Sequence, residues 1–260
     1  ILVEASPQLG GHSGLFGTQD GEDAPEVSIA KLREAVAATE TITVLTRTRA
    51  YAIRTGLIRV HTIENAETSP RPAVLEVAAN HIIIATGARE RLPIFSGNRL
   101  PGVISSLSAY ELATRYGVWA GRSALVATGS NFAYRLAMLA SDAGITLPRV
   151  IDNRPGPASR FIEFSRAYGM IQQPGALITA VEATKTGLAV STDREHAEPF
   201  QTQRLIVCGG WQPDLTLWHI AEGASVWNHE RHRLEPSGQI EGIILAGSAA
   251  GYLTRRGCIE

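Results

Sequence analysis

HIIIATG, residues 81–87, is an apolar run that stops at a threonine and a glycine. A continuous apolar run bounded by turn residues reads as a strand buried on both faces, and therefore as part of a parallel sheet. Two distant stretches share the pattern. ILVEA, residues 1–5, ends near the acid Glu4 and leads to the pair Gly10-Gly11, while GIILAG, residues 242–247, runs into a second glycine turn. All three are expected in one sheet despite their separation along the chain.

What lies between them is a second unit of the same kind. SALVATGSNFAYRLA (123–137) reads as strand, glycine turn and helix, RVID (149–152) as a second strand, and RLIVCGG (204–210) as a third. The expected fold class is α/β: two strand–glycine–helix units of Rossmann-like plan, one inside the other. The boundaries are expected at 1–118 for the first part, 119–234 for the insert and 235–260 for the second part. Within the first part, Ile29–Ala38 has helical apolar spacing with Ser28 as N-cap. Short β segments follow at Thr43–Leu45, Ala50–Arg54, Leu57–His61 and Val74–Ala78, with Ser69–Pro72 read as a loop. Near the end of the first part a helix is expected at Ser108–Tyr116; in the insert, a helix is expected at Phe161–Tyr168 and a hairpin around Thr186-Gly187. A further helix is expected to start within SAAG after Gly247.

Strands that end in glycine turns and helix N-termini suit anions, because free backbone N–H groups and the helix dipole face the ligand. Three places in the outer unit have this form. Glu4, flanked by Ala5 and followed by Gly10, Gly11 and His12, sits where an acid accepts the hydroxyls of an adenosine ribose. Thr86, Gly87 and Ala88 form a strand end past which a dinucleotide can lie close, with Ala50 of the meander as a further candidate contact. Gly247 and Ser248 form the third turn, where Ser248 offers one hydrogen bond but no charge. Each has a plainer alternative: an acid that meets solvent, a strand-to-loop turn, ordinary strand–helix packing. Arg89 and Arg91 are placed to reach a phosphate or simply to be solvated.

The inserted unit's turn departs from the G-x-G-x-x-G pattern. Thr128 and Ser130 hold the first two glycine positions, Ala133 the third, and Gly129 lies between. Gly129, Ser130 and Asn131 are the candidate phosphate contacts. Asp152 stands where an NAD-type ribose acid belongs, and Arg154 is placed to meet a 2′-phosphate instead. A degenerate, empty fold is the alternative.

Composition narrows the classes. Over 260 residues, 44% are hydrophobic and 19% charged, with a formal net charge of −1, so neither nucleic acid nor an anionic membrane is an expected partner. No apolar run is long enough to span a bilayer. The two cysteines, Cys208 and Cys258, lack metal or redox spacing, and a reducing cytoplasm is the expected setting. His229 and His232 have no acids or cysteines at metal-ligand spacing. Ser13 in GHSG resembles a hydrolase elbow only superficially. No catalytic constellation stands out, which fits chemistry carried by a cofactor.

In order, ATGARERLPIFSGNRLPGV, YELATRYGVWAGR, NFAYRLA, CGGWQPDLTL and AGSAAG resemble the α subunits of heterotetrameric sarcosine oxidases and related amine and opine dehydrogenase subunits. The resemblance covers about residues 1–251 and implies a Rossmann-like flavoprotein fold that binds FAD or NAD, an FAD/NAD(P)-binding domain with a second Rossmann-like domain of NAD(P) type inserted. It implies a small secondary amine as substrate and a flavin-containing β subunit in a hetero-oligomer. It also implies a strand and a G-x-G-x-x-G turn ahead of ILVEA, and hence an interior segment that neither holds FAD tightly nor oxidises an amine alone. Ser248 departs from the Asp usual at that position. A non-catalytic dinucleotide-binding scaffold is the alternative function.

Overall fold

The computed structural model describes residues 1–15, 23–64, 67–119 and 121–259. The chain divides into two compact units, one made of Ile1–Arg89 with Gln212–Glu260 and the other of Glu90–Trp211.

The outer unit begins with β1 (Leu2–Val3), a 3-10 turn at Ser13–Leu15 and α1 (Pro25–Ala37). This helix starts a turn earlier than the expected Ile29. Pro25 supplies the preset φ of a first helical residue, so Ser28 lies inside the helix and donates its N–H to Ala24 O. β2 (Val44–Leu45) pairs in parallel with β1. β3 (Thr48–Arg54), β4 (Leu57–Glu64) and β5 (Arg71–Ala78) form an antiparallel meander in the order β3-β4-β5. Pro72, expected in a loop, belongs to β5, where an edge strand tolerates a missing N–H. β6 (Ile82–Ile84) is the HIIIATG strand, and β7 (Ala88–Glu90) leads out of the unit.

The inserted unit is a parallel sheet covered on both faces. Its elements are β8 (Val103–Ser105), α2 (Ser106–Tyr116), β9 (Ser123–Thr128), α3 (Asn131–Asp142), β10 (Thr146–Asp152), α4 (Arg160–Ala167) and β11 (Ile171–Pro174), then β12 (Ile178–Ala183), β13 (Leu188–Thr192), β14 (Phe200–Thr202) and β15 (Arg204–Cys208). The sheet order is β11-β10-β9-β15-β8, every neighbour parallel. Alternate side chains explain the continuous apolar runs. Ala124, Val126, Val150 and Ile206 face α2, α3 and α4, while Leu125, Ala127, Ile151, Leu205 and Val207 face the antiparallel β12-β13-β14 layer. β8 and α2 therefore belong to the insert rather than to the expected 1–118, because β8 completes the sheet beside β15. At its entry, both carboxylate oxygens of Glu90 accept the first N–H groups of α2, Ser106 at 3.0 Å and Leu107 at 2.9 Å.

The chain returns to the outer unit through β16 (Trp211–Pro213), α5 (Thr216–Ile220), the hairpin β17 (Ala224–Asn228) with β18 (Arg233–Ser237), and β19 (Ile243–Leu245). The return falls at Trp211, not at the expected 234. β19 pairs in parallel with β6, Leu245 opposite Ile84, so GIILAG and HIIIATG are neighbours as expected. Two expectations fail here. ILVEA pairs with Val44–Leu45 and not with β6 or β19, and β6 is covered on one face only. Ile82, Ile84 and Ile243 join Leu215, Leu217 and Trp218 in the core, while Ile83 is 66% exposed and Ile244 55%. The helix expected after Gly247 is also broken. A 3-10 turn, Gly247–Ala250, ends at Gly251, and α6 (Arg255–Ile259) is separate.

Candidate functional site

In the outer unit, parallel pairing brings two of the three predicted turns to one end. β6 and β19 run side by side, and Ala246 N–H donates to Ile84 O at 2.9 Å, so Thr86-Gly87 and Gly247-Ser248 leave the same sheet edge. Gly87 has φ 78°, and a side chain there would meet nothing within 4 Å. Gly247 is nearly as open, its nearest neighbour being Cys258 at 3.9 Å. Ser248 Oγ lies 3.7 Å from Cys258 Sγ.

The Thr86-Gly87 turn is fixed by a residue that the sequence reading passed over inside CGGWQPDLTL. Asp214 N–H donates to Gly87 O at 2.9 Å, and Thr86 Oγ1 donates to Asp214 O at 2.9 Å. Its carboxylate accepts from Thr216 Oγ1 at 2.6 Å and from Arg89 Nε at 2.6 Å. Burial alone would raise the Asp214 carboxyl, but the bonds from Thr216 and Arg89 outweigh it and hold the group below its ordinary value. Arg89 is therefore committed to Asp214, and Arg91 Nη2 donates to Gly209 O at 3.0 Å in the other unit. Ala88 opens β7. Ala50 lies in β3, packed against the Ile53 core.

Glu4 follows β1, with its backbone held between Leu45 O and Thr48 N. Ser6 donates to Glu4 Oε1 through its N–H at 2.7 Å and its hydroxyl at 2.8 Å. Both bonds fall on one oxygen, and among the described residues Oε2 takes none. Ala5 is exposed. Gly10 and Gly11 differ: a side chain at Gly10 would strike Ile29 of α1 at 2.9 Å, whereas Gly11 faces open space. Gly10 thus serves helix packing. His12 N–H lies beside Gly11 in the same exposed loop.

The inserted unit's predicted residues do come together, but on each other. Ser130 caps α3, its Oγ accepting from Phe132 N–H at 3.3 Å, and Thr128 Oγ1 accepts Ser130 N–H at 2.9 Å. Asn131 Nδ2 donates to Ala158 O at 3.1 Å. Asp152 is fully buried. Its Oδ1 accepts Arg154 N–H at 2.9 Å and Nε at 3.0 Å, and its Oδ2 accepts Arg154 Nη2 at 2.7 Å and Tyr134 OH at 2.9 Å. Burial, with Asp152 close by, pushes the Tyr134 phenol well above its ordinary value. Nearby Cys208 is pushed up to about 12 by burial and the Glu90 charge, so it carries no reactive thiolate. Among the described residues no cluster of three or more His, Cys, Asp or Glu is placed to hold a metal. No helix among them is long and apolar enough to cross a membrane.

No family model matches the chain. Curated proteins do. It is 31% identical over 272 aligned residues to sarcosine oxidase subunit alpha of Corynebacterium sp. (strain P-1), covering 96% of this chain and 28% of that protein. The chain is related to the alpha subunits of sarcosine oxidase. The same subunit from Rhizobium meliloti (strain 1021) is 27% identical, covering 84% of this chain and 22% of its own length. The chain therefore spans less than a third of the sarcosine oxidase alpha subunits it matches. Solved structures support the Rossmann-like fold. L-proline dehydrogenase from P. horikoshii superposes with a TM-score of 0.64 at 22% identity, over 95% of this chain and 45% of its own. Bacillithiol disulfide reductase from Bacillus cereus gives 0.61 at 17%, over 90% and 72%.

Proposed function

We propose that this chain is the dinucleotide-holding part of a sarcosine oxidase alpha-type oxidoreductase subunit. FAD or NAD would lie on the outer unit. The observation that carries this reading is the pair of open glycine turns at the shared end of β6 and β19. Backbone can approach a ligand closely there, because Gly87 has neither a side chain nor a neighbour above it. Glu4 supports it. One carboxylate oxygen is held by Ser6 and the other is left to accept a ribose hydroxyl. When bound, the dinucleotide supplies the redox chemistry, and these residues bind and orient it. The relatives' name makes a secondary amine such as sarcosine the substrate class, and "subunit" implies a hetero-oligomer, in which we place a flavin-containing β subunit. A cytoplasmic setting goes with this reading.

Mass spectrometry of the nucleotide released from the complete gene product tests the reading. One FAD or NAD per chain is expected. In that protein Glu4→Ala should weaken dinucleotide binding by about tenfold or more, since a charge-assisted hydrogen bond contributes about 1.5–3 kcal/mol. Unchanged retention of the nucleotide would assign Glu4 to the loop alone.

A further inference from the structure

We infer that the inserted unit is a sealed copy of a dinucleotide-binding fold, with its own Arg154 and Asn153 lying where the cofactor would sit, so that it binds neither NAD nor NADP. The parts that such a cofactor needs are present in order, yet each is already satisfied from within.

The ribose acid comes first. A carboxylate offers about four acceptor positions. Asp152 fills four with Arg154 N–H, Nε and Nη2 and Tyr134 OH, at 2.7 to 3.0 Å. The guanidinium meets the carboxylate in a two-bond fork, the strongest geometry available to the pair. Its third nitrogen, Nη1, donates to Asn131 Oδ1 at 2.7 Å, so Arg154 also ties the acid to the first residue of α3. A ribose could reach Asp152 only by displacing that fork and leaving the acid buried.

The glycine comes second. In a working fingerprint pyrophosphate approaches bare backbone at the second glycine, a position that Ser130 fills here, which leaves its neighbour Gly129 as the bare residue of the turn. At Gly129 the space is taken: a side-chain carbon there would lie 2.7 Å from Asn153 Oδ1 and 3.2 Å from its Nδ2. The helix N-terminus comes third. Phe132 N–H is bonded to Ser130 Oγ and Ala133 N–H to Ser130 O, so the donors that would hold phosphate are capped by the chain. These three observations are independent of one another. Together they give this chain one dinucleotide position instead of two.

The test is an amide NMR titration of the 260-residue chain with NAD and NADP to millimolar concentration. No saturable shift is expected for residues 128–134 or 152–154, whereas a saturable shift at Gly129, Ser130 or Asn131 would overturn the inference. Shifts at Glu4, Gly11, Gly87 or Ser248 report on the outer unit and leave this question untouched, so the two readings fail separately. A second arm opens the seal with the double variant Asn153→Gly, Arg154→Ala, whose fold is checked by the dispersion of the β9 and β15 amides. NAD should then shift the Gly129–Asn131 amides, with affinity at least tenfold above wild type. A folded double variant that stays blind to NAD would show that these side chains are not the seal. Should the double variant unfold, the wild-type titration still decides whether the unit binds.

Discussion

The chain holds two strand–glycine–helix devices of similar plan, and they differ in what stands over the glycine. In the outer unit, Gly87 and Gly11 face open space. In the inserted unit, a side-chain carbon at Gly129 would lie only 2.7 Å from Asn153 Oδ1. The acids differ in the same way. Glu4 is half-buried with one oxygen bonded by Ser6, whereas Asp152 is fully buried and saturated by Arg154 and Tyr134. A fold built to hold a dinucleotide must either hold one or satisfy its own polar groups, because a buried acceptor without a partner costs about 1–3 kcal/mol and a buried charge more. Around Asp152 and the start of α3, the inserted unit satisfies its own.

The largest expected effect follows from that contrast. Asp152→Ala strips the partly exposed Arg154 guanidinium and the buried Tyr134 hydroxyl of their acceptor, and should destabilise the protein by about 2–3 kcal/mol. Glu4→Ala removes only two local bonds at a half-buried position and should cost less than about 1 kcal/mol. Urea denaturation of both variants checks this. If Glu4→Ala proved as costly as Asp152→Ala, Glu4 would be structural and the contrast would collapse.

Much of the architecture was legible because it rests on periodicity. The apolar runs at 123–128 and 204–208 fix buried parallel strands, and the likeness of HIIIATG to GIILAG fixes their pairing. The domain edges were less legible. β8 has only three residues, Val103–Ser105, and its membership depends on Leu205 and Ile206 across the sheet. No local pattern carries that information. The site was half legible. Glycines and acids mark the turns, but whether a turn is open depends on Asn153, which the sequence reading passed over, and on Arg154, which it offered to a 2′-phosphate rather than to Asp152. Sequence places Asp152 correctly at the end of RVID. It cannot show that the residue two positions on folds back to neutralise it. Asp214 was hidden differently: its role is to join Gly87 and Thr86 across more than a hundred residues.

A second comparison sets the two Arg–carboxylate clasps side by side. In the inserted unit the acid is the buried partner, with Asp152 at 0% and Arg154 at 31% side-chain exposure. In the outer unit the order is reversed, with Arg233 at 2% and Glu235 at 19%. Arg233 Nη2 also donates to Gly251 O at 2.6 Å, so this clasp pins the end of the Gly247–Ala250 turn. Burial alone would raise the Glu235 carboxyl, but bonds from Arg233, Asn228 and Arg231 bring it down to about 2. A folded value below the unfolded one means stability that is complete above about pH 4.5 and lost as the pH falls toward 2. Discounted for solvent at Glu235, the loss is on the order of 2 kcal/mol. Glu235→Gln should flatten this part of the acid limb of a stability–pH curve. At the other end, Tyr134 contributes stability that is complete below about pH 10 and falls as the pH climbs from there. Tyr134→Phe should remove that alkaline slope while leaving the acid limb intact. An acid limb unaffected by Glu235→Gln would place the clasp outside the stability of the fold.

The smallest expected effects separate the glycines themselves. Gly87→Ala adds a methyl group to empty space, so packing predicts no cost, but φ is 78° and an L-residue there is strained by about 1–2 kcal/mol. Gly129→Ala meets the opposite situation. Its backbone is outside the left-handed region, and the methyl group would meet only the far end of Asn153, which can turn aside. Its cost should stay below about 0.5 kcal/mol, because the helix cap and the Asp152 fork are left in place. Thermal unfolding of the two variants ranks them. A Gly129→Ala more damaging than Gly87→Ala would mean that Asn153 is held rigidly against the turn, making the seal tighter than its hydrogen bonds indicate. The reverse ranking leaves Asn153 as a yielding plug, with Arg154 as the firm part of the closure.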